Sequence, residues 1–137
     1  MNKDDLEKLL ISCVPIRKDG DGDYVTILEK DADFAHNVAV FFVLDDSGGK
    51  LQMMATTDFS VGEAQRLDAL AFCNKWNTEK SFGQAFFDEG RFRINAVLNN
   101  PGDLPADYVR ESFLKFYLPV FWMYYKEVGA EFECKHA

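Results

Sequence analysis

The sequence predicts an α+β fold built on an antiparallel sheet, in the element order α-β-β-β-α-β-β-α. Three observations lead there. Strand-like runs come in groups, three before residue 60 and two after residue 80, without the alternation with helices that a parallel sheet requires. Two pairs of runs are joined by turn chemistry, Asp45-Asp46-Ser47-Gly48-Gly49 and Glu89-Gly90, as antiparallel hairpins are. Longer segments repeat apolar residues at helical spacing. A chain of 137 residues suits one core, expected over residues 1–128, with a loose polar tail at 129–137.

The first helix opens at Asn2, whose side chain can cap it while Asp5 reaches back to the exposed N–H groups. Leu6, Leu9, Leu10 and Cys13 then form one apolar stripe, and Pro15 stops the helix. Residues 18–23 are turn chemistry, and residues 24–28 read as a short strand. Residues 37–45 carry Val38, Val40, Phe41, Phe42 and Val43, a strand apolar on both sides. Such a strand needs cover on both faces, from helices or from another chain. Residues 50–57 return as its hairpin partner.

Ser60 and Glu63 have the spacing of a capping box. The helix behind it places Ala64, Leu67, Leu70 and Ala71 on its core face and ends near Trp76, with Asn77 suited to a left-handed terminus. Residues 82–88 and 91–98 form the second hairpin. In its return strand Phe92, Ile94, Ala96 and Leu98 alternate with Arg91, Arg93 and Asn95, so one face is buried and one polar. Beyond the Asn99-Asn100-Pro101-Gly102 loop, Asp103 is placed to cap a last helix that runs to Val128 and bends at Pro119. Val109, Phe113, Phe116, Tyr117, Val120, Phe121, Tyr124 and Val128 make its core stripe. Leu114, Leu118, Trp122 and Tyr125 lie off the stripe, and a helix apolar this far round is covered on more than one side.

Composition narrows the function. The 13 phenylalanines, 5 tyrosines and 2 tryptophans imply an aromatic core, an aromatic interface, or both. A net charge of −8 argues against nucleic acid as a ligand, since phosphate contacts need a basic surface. Residues 1–63 hold 13 acidic and 6 basic side chains against 10 and 9 in the rest, so an acidic N-terminal half could steer a basic partner. Cys13, Cys73 and Cys134 are odd in number and widely spaced, which suits reduced thiols rather than disulfides or a zinc site. The acidic, polar start and the lack of a long apolar run point to a cytoplasmic protein without membrane contact.

Candidate chemistry is thin. Asp19, Asp21 and Asp23 alternate as calcium ligands do, but Tyr24 and Lys30 stand where that loop needs Gly and Glu. His36 and His136 have no nucleophile motif beside them, and Gly48-Gly49 lacks the spacing of a phosphate loop. No catalytic residue, cofactor or metal ligand is assigned, and the expectation is a protein that is not an enzyme. Trp76 reads as a core plug, with Asn74 and Asn77 bonding backbone groups. Met53 and Met54 are adjacent on a strand and must face opposite sides. Arg91 and Arg93 share one strand face, where pairing with the chain's own carboxylates is the expected fate.

Leu70-Ala71-Phe72-Cys73-Asn74-Lys75-Trp76-Asn77, the aromatic hairpin from Ala85 to Ile94, and the spaced phenylalanines from Asp103 to Phe121 resemble the YbjN-like family of bacterial proteins, proposed sensory transduction regulators. At the level of motifs the resemblance covers residues 60–128; the first half matches in element order alone. The family's domain is similar to type III secretion chaperones, small acidic homodimers that wrap an extended client. The resemblance implies a compact domain that pairs with itself and holds other protein segments. The residues themselves suggest a non-catalytic protein-binding module, with Met53, Met54, Leu114, Leu118, Trp122 and Tyr125 as the contact candidates. An immunity-type inhibitor of a basic toxin and a small-ligand sensor or enzyme are the alternatives.

Overall fold

A computed structural model describes residues 1–18, 23–45, 49–80 and 82–133. The described residues form a six-stranded sheet in the order β1-β2-β3-β4-β6-β5, with every neighbouring pair antiparallel. The strands are β1 (Arg17–Lys18), β2 (Tyr24–Leu28), β3 (Val38–Leu44), β4 (Lys50–Thr57), β5 (Gln84–Asp88) and β6 (Arg91–Asn99). This is the predicted α+β class with one addition, the two-residue edge strand β1, too short to leave a periodic signal in the sequence.

Helix α1 (Lys3–Cys13) starts as its residues dictate. Asp5 N–H donates to Asn2 Oδ1 at 2.8 Å and the Asn2 N–H reaches Asp5 Oδ2 at 3.4 Å, a reciprocal cap. Its buried Leu6, Leu9 and Leu10 join a core that also holds Tyr24, Val40, Phe42, Met53, Phe92 and Ile94. Those strand residues share one face of the sheet, and the helices pack on that face.

Helix α2 (Arg66–Glu79) departs from the expected register. Ser60 and Gly62 precede a 3-10 turn at Glu63–Gln65, the N-cap is Gln65, and no side chain caps the helix. The buried stripe is Ala69, Cys73 and Trp76, with Phe72 packed against the core, while Leu67 is 76% exposed and Ala64 and Ala71 face solvent. The reason is the aromatic wall opposite: Phe72 meets Phe92 and Trp76 meets Tyr124, so large rings set the helix rotation over the smaller Ala and Leu set. The helix runs on to Glu79, and Asn77 lies within it.

The last helical segment comprises α3 (Ala106–Ser112), a π turn (Phe113–Tyr117) and α4 (Leu118–Phe132), in unbroken right-handed backbone. Pro105 takes the N-cap position, and Asp103 belongs to a preceding 3-10 turn rather than to the helix start. Pro119 has no N–H to offer the Lys115 carbonyl, and the chain answers just upstream by widening one turn, with Leu118 N–H bonded to Phe113 O. The helix continues past Val128 to Phe132, with Gly129 and Phe132 buried and Ala130 and Glu131 facing solvent, so residues 129–132 are helix rather than a loose tail. Of the expected stripe only Phe116 is outside, 47% exposed, because the π turn shifts the register there.

The connection from β2 to β3 is part of the core as well. Phe34 is fully buried among Phe59, Trp122 and Tyr125, and Asp31 Oδ1 holds the turn by accepting from Asp33 N–H at 2.8 Å. Gly129 lets the Asp33 backbone approach α4, where a Cβ would stand 2.5 Å from the Asp33 carbonyl.

Candidate functional site

Because the described helices cover one face of the sheet, the other is left bare by them. Strand alternation places three rows of residues on it. Val25, Phe41, Met54, Asn95 and Gln84 lie side by side across five strands. Ile27, Ala39 and Thr56 form a row toward one end, and Val43, Gln52 and Val97 one toward the other. Ile27, Val43 and Val97 are 40%, 42% and 50% exposed, while Phe41 and Met54 are half-buried at the centre. Two shallow grooves of about 490 and 420 Å³ cross this surface and share Phe41. The strand that is apolar on both sides thus has helices over Val38, Val40, Phe42 and Leu44 and no described helix over Ala39, Phe41 and Val43.

The charged rim is uneven. Asp23 borders the groove at the Val43 end, while Lys30, His36, Asp58 and Arg91 border the other. Arg93 reaches Asp88 at 3.6 Å, the pairing with an own carboxylate that its strand position suggested. Its Nε and the Thr56 hydroxyl, both on this face, are buried without a partner among the described residues.

The predicted contact residues do not form one surface. Met54 is at the centre of the bare face. Met53, Leu118 and Tyr125 are in the core, and Leu114 and Trp122 are half-buried against it on the helical side of the sheet. Tyr125 instead holds the sheet together. Its hydroxyl donates to the Phe92 carbonyl at 2.7 Å and the Ala55 carbonyl at 3.0 Å, closing the point where β4 and β6 stop pairing. Of the bare-face residues, Phe41 and Val43 belong to the strand read as apolar on both sides, while Ile27 and Val97 were not singled out. Val97 had a signal, since it breaks the polar series Arg91, Arg93, Asn95 on the same strand face.

The remaining candidates are held in structural roles. His36 sits between the rings of Phe34 and Phe59, with Nδ1 3.3 Å from Asp58 and Nε2 3.9 Å from Glu133. Glu133 also accepts from the Ala35 N–H at 2.7 Å, tying the end of α4 to the 31–37 connection. Burial raises the Cys73 thiol and the Tyr124 phenol, whose S and O atoms lie 3.6 Å apart, so both stay protonated at neutral pH. Trp76 is 3% exposed and plugs the core against Tyr124. Asn77 reaches β5: its Nδ2 donates to the Ala85 carbonyl and its Oδ1 accepts from the Ala85 N–H, both at 2.8 Å. Among the described residues no three His, Cys, Asp or Glu side chains gather as a metal site would need, and no helix is long and apolar enough to cross a membrane. Asp19, Asp21, Gly48, Cys134 and His136 lie outside the described residues.

Comparison with curated proteins finds none that matches this sequence. A family model does match: YbjN, described as "Putative bacterial sensory transduction regulator", over residues 15–102. That span takes in all six strands and α2, reaching well into the half where sequence motifs were silent, and stops before the last helix. The chain belongs to the YbjN family.

Proposed function

We propose that this chain is a non-catalytic protein-binding module, a regulator or chaperone-like domain that dimerises and holds a protein partner. The observation that carries the reading is the bare sheet face, where Phe41, Met54, Val43, Val97 and Ile27 form a contiguous apolar surface ringed by charge. Contiguous apolar patches on soluble domains mark contact sites, because leaving them in water forfeits about 25 cal/mol per Å². The family's regulatory description supports the same role, since a regulator acts by binding. The two grooves are open and shallow, as a surface for another chain is, whereas small-ligand sites are deep and enclosing.

The test is affinity capture from native lysate with the wild-type chain and with Val43→Glu, at low and high salt, read by mass spectrometry. One dominant protein retained at high salt and lost with Val43→Glu is the expected result. A partner that leaves at high salt and is indifferent to Val43→Glu would refute the sheet face and favour an inhibitor acting through the acidic N-terminal half.

A further inference from the structure

Resting on the reading that this face binds protein, we propose that its occupant is a second copy of the chain, packed sheet against sheet about a two-fold axis that runs across the strands.

Three features favour that occupant. The first is area. Five strands spaced about 4.8 Å apart and about five residues per strand at 3.4 Å each give a patch of roughly 400–500 Å² per copy. Twice that is close to 1,000 Å², the lower bound for a specific interface, so two such faces suffice for a reversible dimer. The second is the make-up of the centre. Phe41 and Met54 are direct cross-strand neighbours on β3 and β4, and an axis across the strands lays β3 over β3 and β4 over β4 of the other copy, so the apolar centre of one face meets the apolar centre of the other.

The third is charge. Asp23 immediately precedes β2 and Lys30 follows it, at opposite ends of one strand, and each borders a groove on the bare face. An axis across the strands keeps β2 over β2 of the other copy but reverses its direction. Asp23 of each copy then lies over Lys30 of the other, giving two equivalent ion pairs from a single symmetry operation. The result is a β-sandwich with helices on both outer sides, in which the strand apolar on both faces is covered on both.

The test is the molar mass of the full chain by size-exclusion chromatography with light scattering over a concentration series, for wild type, Val97→Glu, Val43→Glu, Asp23→Lys, Lys30→Asp and the double exchange. Circular dichroism confirms that each variant is folded, and the two valine variants guard against one failing to fold. The expected wild-type mass is twice the 15.6 kDa of the chain. Either glutamate variant should weaken the dimer about 30-fold or more, by placing charge in the apolar centre. Each single exchange should weaken it about fivefold at low salt, and the double exchange should restore it to within about twofold. Failure of the double exchange to restore would overturn the axis. A wild-type dimer indifferent to both glutamates, or a wild-type monomer at about 100 µM, would overturn the second copy as occupant. If that monomer still captures a lysate protein through this face, the binding reading survives alone; if it captures none, both fall.

Discussion

Replacing Asn77 by alanine removes the side-chain amide that closes the outer edge of β5 at Ala85. Its two hydrogen bonds, each 2.8 Å, satisfy both backbone groups of Ala85 as a neighbouring strand would. A net hydrogen bond contributes about 0.5–1.5 kcal/mol, so the pair contributes about 1–3 kcal/mol. Ala85 is 3% exposed, so water cannot freely replace the amide, which favours the upper half of that range. Alanine is the better helix former by about 0.5 kcal/mol, which offsets part of the loss in α2. The expected net cost is about 1.5–2.5 kcal/mol, a fall of several degrees in Tm for a chain of this size. Urea unfolding measures the free energy, and hydrogen exchange at the Ala85 amide locates it. Asn77→Asp sharpens the test, because it keeps the acceptor for the Ala85 N–H but turns an oxygen toward the Ala85 carbonyl. Protonation restores a donor, so the carboxyl titrates higher in the folded chain than in the unfolded one. The variant should therefore approach wild-type stability below about pH 4 and lose it as pH rises. A cost under about 0.5 kcal/mol for Asn77→Ala, with the Ala85 amide still protected, would refute the edge-closing role.

Tyr125→Phe should cost about 1–3 kcal/mol in urea unfolding, since it strips the shared donor from two buried carbonyls, those of Ala55 and Phe92. Gly129→Ala should cost about 1–3 kcal/mol and loosen the 31–37 connection, visible as faster hydrogen exchange at Phe34, because the added methyl meets the Asp33 carbonyl. Alkaline pH should unfold the chain cooperatively: burial raises Tyr124 and Tyr125 in the folded state, so their stabilisation is complete below the unfolded phenol value near 10. It should then decline by about 1.4 kcal/mol per pH unit for each phenol as pH rises beyond that. Tyr124→Phe should shallow that slope, read as the pH dependence of the urea midpoint.

Strand positions were legible because they rest on local signals. The hairpin at Glu89-Gly90, for instance, has positive φ at both residues, 52° and 81°, the mirror-image turn that two-residue hairpins favour. The Asn2–Asp5 cap was legible for the same reason. The rotation of α2 was not, because it is set by Phe92 and Tyr124, which are distant in sequence and outweigh the Ala64, Leu67 and Ala71 pattern. That Asn77 bonds backbone groups was legible, but not that its partner, Ala85, belongs to another element. The candidate site was half legible. Adjacent Met53 and Met54 had to face opposite sides, but only the placement of the helices decides which side is bare.

That placement also bears on which surface acts. The chain has two broadly apolar layers, the last helix and the sheet, and the sequence alone favoured the helix because its rings are so many. In the fold those rings serve the chain's own core: Tyr124, Tyr125, Phe113 and Phe121 are buried against the sheet, α1 or α2. Val43 and Val97 have no such use, since they stand on the side away from the described helices and remain half exposed. The family match runs from residue 15 to 102 and so contains every residue of the bare face from Asp23 to Val97, while it leaves out the last helix. Burial and family coverage therefore single out the same layer, which supports the proposal of a contact surface on the sheet with the last helix as its support.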